Sequence, residues 1–440
     1  MKSDDLFQLG AKFFWPIAII LHVLGWLQAY HTGSIYLVDS ADYLSQAYNI
    51  KHHASIYAAN WDAPFKFDFF SFRPPLYALF IILIESITGS LYGVLFVQML
   101  LSLLNFYWVL RICKEVYPNT HISKSILLLV LIFYPSQIIH CNFIMSDILF
   151  QSILLFAFYQ TWQWRQTFDW KKGARASCLF ALAMLTKPVS FLLGMGVAVV
   201  MAFYLIKNKK TVQLLSFLLL PLVYHGLSLY HQKLTGTYHY SSVGPYFSLK
   251  YMAKYTNSQL YGEAYADQFQ DSVMKIADTC QSLQVRHQVM NEATLAVIKS
   301  HPFTFLQFNM RGWLTIFIDP GRFDWVHFLN IDEGNFLGLY HTIYTKGLAN
   351  GLLFFASNAP LTLLLILALS LAFNILIGLI FMLWLFQASG NKTLKLIVAV
   401  FVCYLVLTTG VLGLARYRIG FAPLLWIAFV LYLSPRFAKQ

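Results

Sequence analysis

The chain has 440 residues, of which 58% are hydrophobic and only 11% charged, against about half and about a quarter in soluble domains. That excludes an ordinary soluble protein and points to an all-α polytopic membrane protein. The net charge of +12 does not indicate nucleic acid: 16 of the 31 Lys+Arg, but only 4 of the 19 Asp+Glu, fall in the short segments 1–12, 111–124, 164–175, 207–211, 387–395 and 435–440. Basic residues gathered in short loops orient membrane spans, positive side inward, so both termini are expected in the cytoplasm.

The first apolar run, Phe13 to Tyr30, is long enough to cross a bilayer at about 20 residues per span. It lacks a small-residue cleavage site and reads as an uncleaved anchor. Residues 31–75 then form a first outer loop. From Tyr43 the larger or apolar residues recur at Ala47, Ile50, Ala54 and Tyr57, one face of a helix lying on the membrane surface. Arg73-Pro74-Pro75 stops any helix before Leu76, and 76–88 is too short to span comfortably, so a surface or re-entrant helix is expected there, feeding a span at 91–110. Further spans are expected at 125–139 and 148–163. The run 176–206 is too long for one crossing and is divided by Thr186-Lys187-Pro188. A span at 212–230 leads into the polar stretch 231–347, with a soluble helix over Ser272–Ser300 and an amphipathic interfacial helix over 303–318, its stripe being Phe303, Leu306, Met310, Trp313, Leu314 and Phe317. Spans at 360–386, 396–413 and 421–434 complete a bundle of about ten. The expected division is therefore 1–230, an N-terminal transmembrane module carrying the chemistry; 231–347, an outer loop region; and 348–440, C-terminal spans.

The five cysteines have no metal or redox spacing, although Cys141 and Cys280 both fall outside the membrane on this topology and a pairing is open. The thirteen histidines form no HxxxH or HxH pattern, and no Gly-rich nucleotide loop occurs.

Acids and cations collect at the outer ends of apolar runs: Asp39, Asp42, Arg73, Asp147, Lys187, Arg416 and Arg418. Charges beside a bilayer are costly and mark functional sites. Cations on a face with carboxylates suit a substrate that is itself an anion, such as a lipid-linked phosphate: Arg and Lys stabilise the departing phosphate, and a carboxylate takes the proton from an incoming hydroxyl. Each residue also has a plain alternative. Arg416, Arg418 and Lys187 suit snorkelling anchors; Asp147 and Asp39 suit helix N-caps; Asp42 suits a solvated first turn.

These residues resemble the GT-C membrane glycosyltransferases, in the branch around protein O-mannosyltransferases and the lipid A aminoarabinose transferase. The resemblance lies in Asp39-Ser40-x-x-Tyr43 with Ala47, Arg73-Pro74-Pro75-Leu76-Tyr77, Pro135 with Ser146-Asp147-Ile148-Leu149-Phe150, Leu185-Thr186-Lys187-Pro188, and Ala415-Arg416-Tyr417-Arg418 with Pro423. It implies a GT-C bundle with juxtamembrane helices on the outer face and a sugar donor linked to polyprenyl or dolichyl phosphate. Asp39 falls at the position of the family's first-loop acid, which is the general base or lies beside it, with Asp42 and Asp147 as second-choice acids. Lys187, Arg416, Arg418 and Arg73 fall around the donor phosphate, and Tyr43 and Tyr417 in the donor or acceptor pocket. Many relatives carry two adjacent acids where this chain has Asp39-Ser40, a departure that speaks against a bound divalent metal, and no cofactor is assigned.

The reading is an inverting glycosyltransferase acting on a hydroxyl or amine of a glycan, lipid or protein acceptor, in the bacterial inner membrane by default, with its site facing the periplasm. A flippase for a lipid-linked sugar, or a polysaccharide ligase or polymerase using a lipid-diphosphate donor, are the rival readings.

Overall fold

The computed structural model describes residues 3–331 and 348–437, and every regular element among them is a helix. Six helices are long and apolar enough to cross a bilayer: Phe7–Thr32, Leu91–Val116, Ser190–Lys207, Leu361–Phe386, Lys392–Thr409 and Ala415–Pro435. The chain is an integral membrane protein. Among the described residues six, rather than the expected ten, meet the requirement of length and composition. One reason is visible in the Asp147–Thr167 helix, which buries Gln151, Gln160 and Thr161 among its neighbours. A helix enclosed by protein satisfies its polar groups internally and need not be apolar all round. The expected span 125–139 is also broken, because the Thr120–Phe133 helix stops before Pro135 and a short helix, Ser136–Cys141, follows.

The core lies between the first helix, Leu91–Val116, Thr120–Phe133, Asp147–Thr167 and the three C-terminal spans. Trp426, fully buried, stacks on Phe106 with ring centroids 4.9 Å apart. Through this core runs a chain of amides. Gln137 and Gln151 exchange hydrogen bonds of 2.8 and 2.9 Å, Asn105 donates to Gln151, Gln137 donates to Ser102, and Ser102 meets His22. Lone polar groups at bilayer depth are costly, so such a set holds its helices in one register.

The expected breaks between helices occur. Leu76–Thr88 begins after Pro75 and ends at Gly89, whose φ of +69° is left-handed and suits a residue without Cβ. Ser90 then caps Leu91–Val116 by accepting from the Tyr92 amide. The run 176–206 is divided as expected into Trp170–Thr186 and Ser190–Lys207.

One expectation is corrected in the polar stretch. Ser272–Ser300 is not one helix: Glu263–Thr279 ends before Cys280, and Ser282 caps a second helix, Leu283–Ser300. The two helices bury Val273, Ala277, Met290 and Val297 together. The Pro302–Ile318 helix keeps most of its apolar stripe at the surface. Phe303, Leu306, Met310 and Leu314 stay exposed, while Phe308, Gly312 and Ile316 pack inward. Gly312 is what allows that approach, since a Cβ there would lie 2.2 Å from the Gly410 carbonyl oxygen. All five cysteines are free, Cys141 and Cys280 included. Residues 332–347, the end of the expected outer loop region, lie outside the described residues.

Candidate active site

The turn that carries Asp39 is stapled to the segment that carries Asp147. Ser40 Oγ accepts from the Leu37 amide (2.8 Å) and donates to the Ile144 carbonyl (2.9 Å). The Ile144 amide donates to the Ile35 carbonyl (2.8 Å), and the Tyr43 and Ser146 hydroxyls meet at 2.8 Å. Helix Ser40–His53 also holds the Arg73 loop, because Gln46 Nε2 donates to the Arg73 carbonyl at 2.7 Å. Lys187 follows the last turn of Trp170–Thr186, where Pro188 prevents continuation. Arg416 sits in the short helix Ala415–Arg418, fastened by Asp319, which accepts from the Ala415 amide (2.6 Å), and by Gln151, which donates to the Ile419 carbonyl (2.7 Å). Since Asp147 and Gln151 are one turn apart, a single helix face receives both Arg416 and the turn after it.

Three acids and three cations thereby meet at one end of the bundle. Arg73 Nη2 lies 2.8 Å from Asp39 Oδ1 and 2.9 Å from Asp42 Oδ2. Arg416 Nη2 lies 2.5 Å from Asp39 Oδ2, and its Nε lies 3.3 Å from Asp147 Oδ2. Lys187 Nζ completes the chain at 2.6 Å from Asp147 Oδ1. Aromatic rings line it: Arg73 lies over Phe72 and Tyr43, Lys187 over Phe150 and Arg416 over Tyr417. Asp147 is enclosed at 2% side-chain exposure, whereas Asp39, Arg73, Lys187 and Arg416 keep 17–19%, enough for a ligand to reach them. Burial alone would raise the Asp39 carboxyl, but the Arg416 and Arg73 guanidiniums prevail and hold it below the usual range. At Asp42 burial prevails over Arg73, and its carboxyl is raised.

The helix-cap alternatives fail at both acids: Asp39 and Ser146 stand at the N-cap positions and neither makes a side-chain cap bond, while Asp147 spends its oxygens on Lys187 and Arg416. Arg418 does not join the cluster. It is 2% exposed and donates to the Tyr134 hydroxyl and to the carbonyls of Ile316, Phe317 and Asp319. Its place at the donor phosphate is therefore corrected to that of a clamp between helices. Each of the three cluster acids is directed at a cation, and among the described residues no group of three or more His, Cys, Asp and Glu is arranged to hold a metal. A cavity of about 540 Å³ lies at the other end of the bundle, beside Tyr117, Trp384 and Pro435, away from these charges. Sequence reasoning missed Ser40, Gln46, Gln151 and Asp319. Gln151, four residues after Asp147 in an apolar run, carried a readable signal; the others did not.

Residues 72–231 match the family described as dolichyl-phosphate-mannose-protein mannosyltransferase. That stretch contains Arg73, Asp147 and Lys187. Among solved structures the chain is similar to ArnT from Cupriavidus metallidurans bound to undecaprenyl phosphate (12% identity, 97% of this chain and 77% of that chain, TM-score 0.39). It is similar also to the apo state of the same protein (12%, 97% and 78%, TM-score 0.37). No curated protein sequence matches it significantly.

Proposed function

We propose that this protein is an inverting glycosyltransferase that moves a sugar from a polyprenyl-phosphate-linked donor to a hydroxyl or amine of its acceptor. The observation that carries the reading is the convergence of Arg73, Lys187 and Arg416, from three distant stretches, with Asp39 at one end of a membrane bundle. The family description, with its dolichyl-phosphate donor, supports the same class of lipid carrier. Orientation has support from charge. Helix Asp147–Thr167 starts at the cluster and ends beside the basic segment 164–175, and Ala415–Pro435 likewise runs from Arg416 toward the basic C-terminus. Basic ends face the cytoplasm, and this supports an extracytoplasmic site.

In the reaction, Asp39 takes the proton of the acceptor hydroxyl as its oxygen bonds to the anomeric carbon. The bond from that carbon to the phosphate oxygen breaks on the opposite side, and the electron pair leaves with the phosphate. Arg73, Lys187 and Arg416 stabilise the charge that develops there. Tyr43 and Tyr417 flank the arginines and shape the pocket. Asp39→Asn is expected to lower transfer by about 100-fold or more, with normal protein in the membrane; retention of more than about a tenth of wild-type activity refutes the base assignment, given that magnitude. The assay uses purified protein in detergent, where a flippase yields no product, and compares monophosphate with diphosphate donors.

A further inference from the structure

We propose that the donor phosphate takes the place of Asp39 between Arg73 and Arg416, so that substrate binding itself frees the carboxylate that receives the acceptor's proton. This rests on the polyprenyl-phosphate reading above.

The argument starts from how the ion pairs are shared. Asp39 is held by two guanidiniums, each of which also holds a second acid: Arg73 keeps Asp42 and Arg416 keeps Asp147. When Asp39 leaves, both arginines still have a carboxylate partner and stay where they are. Of the other two acids, Asp147 is tied more firmly, and Asp42 holds only one of the two arginines. Asp147 is enclosed and has Lys187 as well, and Asp42 accepts two hydrogen bonds from Arg73, Nε at 3.0 Å and Nη2 at 2.9 Å. Asp39 makes no cap bond to its own helix, and its backbone turn is fixed independently by Ser40 and Tyr43. Its side chain can therefore swing without unfolding the turn.

The charges also fit. With three acids and three cations the cluster is neutral, and its arginines have no positive charge to spare for an incoming phosphate while Asp39 holds both. A carboxylate held by two arginines is also a weak base. A phosphodiester carries one negative charge, as Asp39 does, and its oxygens accept from the same guanidinium donors. Exchange of one for the other leaves the two arginines compensated and restores basicity to Asp39. During transfer Asp39 gains a proton as the leaving phosphate gains a second negative charge, so the net charge of the site does not change.

The test measures binding of undecaprenyl phosphate to the purified full chain, wild type, Asp39→Asn and Asp42→Asn, alongside transfer. Asp39→Asn should bind the carrier phosphate about tenfold tighter than wild type, having lost its competitor, while transferring nothing; Asp42→Asn should gain less. Unchanged or weaker binding by Asp39→Asn overturns the exchange and leaves the donor reading standing. Failure of the wild type to bind any polyprenyl phosphate overturns both. Calorimetry on the wild type, in buffers of different ionisation heat at mildly acidic pH, supplies a readout independent of the variant's folding. With a polyprenyl phosphodiester as the ligand, which has no second ionisation of its own near that pH, proton uptake on binding is expected from the freed carboxylate, and its absence overturns the proposal.

Discussion

Arg416 and Arg418 leave the same four-residue helix and serve two different regions of the molecule. Two residues on a helix point to opposite sides, and here the sides differ in kind. Arg416 faces the partly open cluster, where it meets the carboxylates of Asp39 and Asp147. Arg418 faces the interior and meets the Tyr134 hydroxyl and three backbone carbonyls. Carbonyls are fixed parts of the fold and cannot be exchanged for a ligand. Carboxylates on shared, reachable arginines can. The same residue type thus secures the packing of the chain in one region and remains available for chemistry in the other.

The comparison breaks most visibly at Arg416. Arg416→Met should lower transfer by about 100-fold or more, the size of losing one preorganised donor at a developing anion. It should destabilise the fold less than Arg418→Met does, because Asp39 keeps Arg73 and Asp147 keeps Lys187. A large loss of thermal stability would make Arg416 a structural residue like its neighbour. Arg418→Met should do the reverse, costing about 3 kcal/mol through buried acceptors left unsatisfied, with little change in activity per folded molecule. Equal carrier binding by the folded fractions of Arg418→Met and wild type checks this; a selective loss of binding would return Arg418 to the site.

A smaller effect sharpens the contrast at a third place. Asp68, in the loop leading to Arg73, is bound by Arg286 Nε at 2.6 Å and His287 Nε2 at 3.0 Å. Burial would raise its carboxyl, but His287 and Arg286 prevail and hold it below the ordinary value of 3.8. A lowered folded-state pKa contributes stability above the unfolded value and loses it as pH falls through the folded one. Wild type should therefore exceed Asp68→Asn in stability at neutral pH, by about 1 kcal/mol. The difference should shrink below pH 3.8. Urea unfolding of the two proteins across that range measures it, and a difference that persists in acid would assign Asp68 a role that does not depend on its charge.

Much of the site was legible because its parts are punctuation marks. Pro74-Pro75 and Pro188 stop helices wherever they occur, so Arg73 and Lys187 had to stand at helix ends. Charges amid apolar runs are costly enough that Asp39, Asp147 and Arg416 stood out. Arg418 was misread because it shares that signature, and only its neighbours distinguish it. The Ser272–Ser300 helix was overextended because Cys280-Gln281-Ser282 contains no proline or glycine, while the helices on either side of that break share one buried cluster that includes Ala277 and Met290.

From the sequence alone came the membrane class, the helix breaks at 75, 89 and 187, and the residues able to do acid–base and phosphate chemistry, since these follow from local hydropathy, backbone constraint and the cost of charge near lipid. The tertiary structure decided which of them meet. Asp39 and Arg416 lie 377 positions apart in the chain and 2.5 Å apart in space. No local rule spans that separation: the pairing depends on how the helices pack, on the amides that set their register, and on which side of a single helical turn each arginine leaves.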